Sequence, residues 1–283
     1  MGKGWNISGL SAISRGGKTF YHDNKNEKVK FDDTDHFISD GMTLIPVNGS
    51  NGAEGTEYRT EIESYVRFYS RGRIGNSPER FEAQMKNGSI AEYGSNPNSR
   101  YNTLERNNNA LEIKEEPLSW NISKITDEFG NYMTFTYINN STTGDFLISE
   151  INYTGNVAAN QAPYNKVVFE YEDYANFVPY YFEGVQYRKT KRLKRIKTSV
   201  ENDQLVKTYE ILYGTNTSNT LFSVSEIKEI NYLGEELNST KFNWDLSNTN
   251  EVVNLEGRVI NNLYYTFFNN GYIPDCDSSN MKI

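Results

Sequence analysis

The sequence holds one cysteine, Cys276, and two histidines, His22 and His36, in 283 residues. A lone thiol closes no internal disulfide, and two imidazoles without cysteine partners supply no zinc ligand set. Serine-histidine catalysis is left with two candidate bases, and no Gly-x-Ser-x-Gly elbow accompanies them. No run approaches the roughly 20 apolar residues that cross a bilayer as a helix. Basic residues are in deficit, 29 Lys and Arg against 37 Asp and Glu, and the net charge of −8 disfavours nucleic acid as the main partner. The opening residues Met1 to Trp5 show no basic region followed by an apolar one, so no signal peptide is visible. Asn6 stands where a myristoylation signal needs Ser or Thr.

What the chain does have is aromatic surface: 21 Tyr, 15 Phe and 3 Trp, 14% of its residues. Disordered chains are poor in such groups. Short alternating runs such as Met133 to Tyr137, Val167 to Tyr171 and Tyr209 to Tyr213 place large side chains on one face of a pleat. Asp40-Gly41, Asn48-Gly49, Asn51-Gly52 and Asn87-Gly88 are hairpin-turn dipeptides. No segment keeps a helical apolar period. The chain reads as all-β, an antiparallel β-hairpin stack. The basic run Arg188 to Lys197 reads as the solvated face of a strand with Leu193 and Ile196 turned to the core, or as a local phosphate-binding patch.

An apolar-x-x-Ile unit recurs: Leu10 to Ile13, Ile122 to Ile125, Ile148 to Ile151, Leu193 to Ile196 and Val224 to Ile227. The last three follow aromatic strands that end in Tyr137, Tyr171 and Tyr213. The spacing is irregular, as expected of stacked strand-turn-strand units with variable insertions.

The residues carry a family resemblance in order along the chain. Gly2-Lys3-Gly4-Trp5-Asn6-Ile7-Ser8-Gly9-Leu10-Ser11-Ala12-Ile13-Ser14-Arg15 resembles the opening signature of Rhs/YD-repeat proteins, in particular the SpvB-type region. That region, the virulence plasmid B protein domain, also occurs in the B component of insecticidal toxin complexes. Further matching pieces are Phe31 to Ile45 with Asp40-Gly41, Tyr58 to Ser64, Phe81 to Gly94, and Trp120 to Asn131 with Asp127 and Gly130. Ile151 to Asn156, Phe169 to Glu172, Leu193 to Ile196 and Phe242 to Trp244 complete the set.

The resemblance covers residues 1–246 and leaves 247–283 as an atypical tail. It implies a partial Rhs/YD-repeat shell, truncated on its N-terminal side, from a secreted toxin whose shell encloses or carries an effector. The implied partners are other shell segments or a partner toxin subunit, together with the effector cargo. Gly2, Gly4, Trp5, Gly9, Leu10, Ile13, Arg15, Asp40, Gly41, Asp127, Gly130 and Trp244 are its structural motif residues. Residues 2–15 are expected to nucleate the first hairpin, anchored by Trp5 and Leu10, and the apolar-x-x-Ile units to form the wall. A buried Trp5 replaced by Ala should cost about 3–5 kcal/mol.

No catalytic, cofactor-binding or metal residue is assigned, and the expected role is non-enzymatic. One alternative is a cell-surface adhesin or carbohydrate-binding module, for which tyrosine-rich faces suit sugar stacking. Another is a mono-ADP-ribosyltransferase, for which Arg100, Ser141 to Thr143 and Glu170-x-Glu172 occur in the required order, with Glu61-x-Glu63 as a second acidic pair. Residues i and i+2 share a strand face, which explains both acidic pairs more simply. Asp32-Asp33-x-Asp35 offers carboxylates for calcium but lacks the glycine-containing loop spacing. Sequons such as Asn6-Ile7-Ser8 and Asn121-Ile122-Ser123 arise by chance in an Asn-rich chain.

Overall fold

A computed structural model describes residues 5–108, 110–175, 177, 179–215 and 222–244. Its described residues up to Phe242 form one compact unit, and a second unit begins at Asn243. The alternation read from sequence becomes strands whose residues are buried in turn, as in His36-Phe37-Ile38-Ser39 and Glu57-Tyr58-Arg59-Thr60.

Strands β1 (Ala12–Gly16), β2 (His36–Ser39), β3 (Met42–Asn48), β4 (Glu57–Thr60), β5 (Arg67–Ile74), β6 (Ser77–Gln84) and β7 (Ile90–Tyr93) pair in that order. Next come β8 (Arg100–Tyr101), the hairpin of β9 (Leu104–Asn107) and β10 (Ala110–Ile113), and β11 (Ser119–Thr126). The first half of β11 pairs with β1 and its second half with β7. Strands β1 to β7 and β11 thereby close a ring of eight antiparallel strands and leave it no free edge.

Large side chains fill that ring. Phe37, Tyr58, Phe81 and Trp120 are fully buried, with ring centroids 5.0–6.1 Å apart in edge-to-face contacts. Trp120 donates its indole N–H to the carbonyls of Pro78 and Glu79, both at 3.1 Å. The β2–β3 turn uses Asp40 and Gly41 at φ 47° and 84°, the doubly left-handed geometry that a two-residue hairpin requires.

A second part of the same sheet leaves the ring at β11. Strand β12 (Asn131–Asn140) pairs with Lys124–Thr126 and is followed by β13 (Asp145–Asn156) and β14 (Asn165–Asp173). The hairpin β15 (Tyr180–Phe182) and β16 (Val185–Tyr187) interrupts the order, which resumes with β17 (Lys191–Val200), β18 (Gln204–Thr215), β19 (Phe222–Asn231) and β20 (Thr240–Lys241). The fold is therefore all-β. The inserted hairpin lies in the long step from Ile151 to Ile196. Val185 and Tyr187 build a small core of their own with Leu104, whose backbone N–H donates to the Tyr187 hydroxyl at 2.8 Å.

From residues 5–15 the chain contributes β1, which pairs with β2 across a connection, residues 17–35, that carries the short helix α1 (Phe20–Asp23). Trp5, Ile7 and Leu10 are half-buried and pack on the main core, with the Trp5 ring edge-on to Phe242 at 4.8 Å. A half-buried indole puts the Trp5→Ala cost below the range for full burial.

Candidate functional site

In an unbroken strand, residues i and i+3 face opposite sides. The apolar-x-x-Ile units resolve this with a β-bulge. Ile122 and Ile125 oppose Tyr93 and Ala91, with Ser123 unpaired between them. Ile148 and Ile151 oppose Tyr137 and Phe135, leaving out Ser149. Leu193 and Ile196 oppose Tyr171 and Phe169, leaving out Lys194, and Val224 and Ile227 oppose Tyr213 and Ile211, leaving out Ser225. The extra residue turns both ends of the unit to one face, and successive bulges bend the sheet.

Each bulge stands where the next strand parts from the ladder. Pairing between β11 and β12 stops at Lys124 and Thr134, between β13 and β14 at Glu150 and Val168, and between β17 and β18 at Arg195 and Glu210. Three residues beyond each of these partners is a tyrosine whose hydroxyl donates to the first carbonyl of the preceding unit. Tyr137 donates to Ile122 at 2.7 Å, Tyr171 to Ile148 at 2.6 Å, and Tyr213 to Leu193. These rungs satisfy carbonyls that the diverging strands leave without a ladder donor. Burial pushes the Tyr213 phenol up to about 12 and raises those of Tyr137 and Tyr171 as well. By the same count from Lys241, the partner of Glu226, Trp244 occupies the tyrosine offset and Phe242 that of Phe135 and Phe169.

The two faces of this sheet are unlike. One buries Phe135, Ile148, Phe169, Leu193 and Ile211. The other carries the basic run, and its charges are matched by acidic neighbours. Glu170, Arg195, Glu210 and Lys228 stand in register across four strands, with Arg195 to Glu210 at 2.6 Å. Lys197 meets Glu170 at 2.5 Å and Arg192 meets Glu172 at 2.6 Å. The run is thus a charged strand face with Leu193 buried beneath it, and its ion pairs are half-buried at the surface.

The motif residues lie at structural junctions. Gly2 and Gly4 fall outside the described residues, as do Cys276 and the tail 247–283. Gly9 takes φ +85° in the segment before β1. Ile13 is fully buried in the ring, opposite Trp120 and Ser39. Arg15 is buried too, bonding Asp35 at 3.0 Å, the Pro117 carbonyl at 3.0 Å and the Ser77 hydroxyl, with the Phe31, Phe37 and Trp120 rings around it. Burial lowers its pKa while Asp35 opposes that shift. Burial also pushes the Asp40 carboxyl up, against a hydrogen bond from the Ala12 backbone.

Asp127 accepts from the backbones of Phe129 and Asn131 at 2.9 and 2.8 Å and from the Asn131 amide, which hold its carboxyl below the usual range. Gly130, at φ +80°, gives its carbonyl to Val157 at 2.8 Å and so ties this turn to the β13–β14 turn. Trp244 belongs to the second unit. Sequence reasoning missed the bulged Ser123, Ser149, Lys194 and Ser225, although the i, i+3 apolar spacing inside strands was their signal.

The residues weighed for chemistry are engaged elsewhere. Arg100 bonds Glu79 at 3.2 Å, Glu170 and Glu172 hold the cations named above, and Glu61 holds His22 at 3.0 Å. His36 bonds Asp23 at 2.9 Å. Asp32 caps Thr34, and Asp35 is committed to Arg15. Among the described residues, no group of three or more His, Cys, Asp or Glu side chains is placed to hold a metal ion. No described helix is long and apolar enough to cross a membrane.

Against known proteins, no family model matches the sequence, and no curated relative matches it either. The fold does have solved counterparts. It is similar to the N-terminal domain of effector protein SpvB from Salmonella typhimurium strain LT2, with TM-score 0.61 and 15% identity over 82% of this chain and 89% of that one. It is also similar to a chain of the TcdB2-TccC3-Cdc42 complex, with TM-score 0.62 and 12% identity over 84% of this chain. A Photorhabdus luminescens Tc holotoxin pore gives TM-score 0.59 and 12% identity over 83%. The chain spans 14% of each of these two toxin-complex chains.

Proposed function

We propose that this chain is a non-enzymatic wall module of a secreted SpvB-type or toxin-complex-type protein. The observation that carries the reading is the repeated bulge-and-rung unit, set on the fold of the SpvB N-terminal domain and of a segment of the toxin-complex chains. Each unit passes an open edge to the next strand, so a sheet of any length can grow from the closed ring. Among the described residues the last strand added is β20, which pairs at two positions. By this reading residues 1–246 act with further strands of a shell, supplied by the same protein or by a partner toxin subunit, and the shell encloses or carries an effector.

The core and rung tyrosines offer no sugar-binding face. Tyr58, Tyr93, Tyr137 and Tyr187 are buried, and the rung hydroxyls are committed to backbone carbonyls. The test is isolation of the protein from the cells that make it, followed by mass spectrometry and an assay for transfer of labelled ADP-ribose from NAD. A co-purifying shell-type chain with no transfer supports the wall reading. A monomer that transfers ADP-ribose overturns it.

A further inference from the structure

The chain carries the pairs Asn48-Gly49, Asn51-Gly52 and Asn87-Gly88, and a further one, Asn270-Gly271, lies outside the described residues. In such a pair the glycine nitrogen can attack the side-chain amide before it, because no Cβ stands in the way. The fold treats the three described pairs differently. Asn51 is locked: its amide nitrogen donates to the carbonyls of Asp33 and Asp35 at 2.7 and 2.8 Å. Gly52 is buried, and its N–H donates to the Tyr58 hydroxyl at 2.7 Å, so the nucleophile is taken as well. Asn48 closes β3 and is held extended by its pairing with Glu57.

Asn87 is arranged for the reaction. It and Gly88 are both exposed, in residues 85–89 between β6 and β7. The Asn87 side chain folds back over its own peptide, and its Oδ1 accepts from the Ser89 backbone N–H at 3.1 Å. Negative charge develops on that oxygen when Cγ is attacked, and the turn already holds a donor against it. The Gly88 N–H donates to the Met85 carbonyl at 3.1 Å, an exposed turn bond that the attack gives up.

We propose that Asn87 is a self-modifying site, converted to aspartate and isoaspartate by water alone. The Gly88 nitrogen bonds to Asn87 Cγ and gives up its proton, the Cγ–Nδ2 bond breaks, and the amide nitrogen leaves with that proton as ammonia. Water then opens the succinimide at either carbonyl, leaving a carboxylate and an ammonium ion. Isoaspartate adds a methylene to the backbone of the β6–β7 turn. Either product sets a carboxylate next to Gly88, where the Glu128 Cβ and Oε2 lie 3.2 and 3.4 Å from the position of a Cβ. The modification therefore weakens one turn of the closed ring as the protein ages. This goes beyond the wall reading, which assigns the ring no chemistry.

The experiment incubates the full chain at neutral pH and physiological temperature, folded and in guanidinium chloride, and cleaves samples with an acid-active protease for mass spectrometry. In the folded chain Asn87 is expected to exchange NH2 for OH several-fold faster than Asn48, while Asn51 stays intact. Denaturant should slow Asn87 and release Asn51. Folded Asn87 reacting no faster than folded Asn48, or more slowly than in denaturant, overturns the inference. On ageing, the native chain should lose more melting temperature than an Asn87→Gln chain aged alike, and equal losses overturn the weakening of the ring. None of these outcomes alters the co-purification result, so the wall reading is judged separately.

Discussion

The hydroxyl of Tyr171 donates to the carbonyl of Ile148 at 2.6 Å, across 23 positions of sequence. The contact joins one repeat to the next where the backbone ladder between β13 and β14 has ended. Tyr171→Phe keeps the ring and removes the donor, leaving a carbonyl unsatisfied in a half-buried site. Equilibrium urea unfolding should show a loss of about 1–2 kcal/mol with an unchanged slope. No loss would mean that water serves the carbonyl equally well.

Deleting Ser149 tests the bulge. Without the extra residue, Ile148 and Ile151 stand at i and i+2 and still share a face, but the bend that parts β14 from β13 beyond Glu150 and Val168 is lost, and with it the seat of the Tyr171 rung on Ile148. Ser149→Ala keeps the residue count and should melt within a few degrees of the native chain. The deletion should lower the melting temperature far more, or abolish cooperative unfolding.

Arg15 and Asp35 form a buried pair, with side chains 0% and 2% exposed. Removing one partner strands a charge in the ring, so Asp35→Ala should cost about 3–5 kcal/mol in denaturant unfolding. Arg15→Met combined with Asp35→Leu should recover part of that loss. A double variant no better than the single would contradict the charge account.

Gly155 lies under the ring of Tyr132, its cross-strand partner, and a Cβ there would come within 2.5 Å of the ring carbon Cζ. Its backbone φ is not positive, so the obstacle is steric, chiefly the Tyr132 ring with Pro163 Cγ next at 3.0 Å. Gly155→Ala should destabilise by about 1–3 kcal/mol. In the double-mutant cycle with Tyr132→Ala, most of that penalty should vanish. Additive losses would place the strain elsewhere.

Alkaline titration reads the rungs directly. Phenols whose folded pKa lies above the ordinary value of about 10 stabilise the fold fully below that pH, and the contribution fades as pH rises through the folded value. With Tyr213 near 12, stability should fall between about pH 10 and 12. Tyrosinate absorbance should rise in two phases, and the late phase should shrink in the Tyr137→Phe, Tyr171→Phe, Tyr213→Phe triple variant. A single phase in the native chain would mean that these phenols are not buried.

The sequence made some of this architecture legible and left the rest hidden for physical reasons. Strand alternation and turn dipeptides are local, so Phe135 and Tyr137, Phe169 and Tyr171 in their strands and the Asp40-Gly41 turn were visible. The apolar-x-x-Ile unit was visible as a pattern, but the bulge that explains it needs the partner strand to show which residue is left over. Closure of the ring joins Ile13 to Trp120, and the segment before β1 packs Trp5 on Phe242; no periodicity reports contacts so distant. Arg15 matched a motif, but its pairing with Asp35 and Ser77 depends on tertiary placement.

The most direct test of the wall reading is lysine cross-linking with mass spectrometry on the protein isolated from its producing cells. Lys241 lies exposed on β20, the outermost strand of the sheet. The account expects cross-links from Lys241 to further β-shell sequence, in the same protein or in a co-purifying toxin subunit. Cross-links confined to residues 1–246, on a particle with the mass of the single chain, would contradict it.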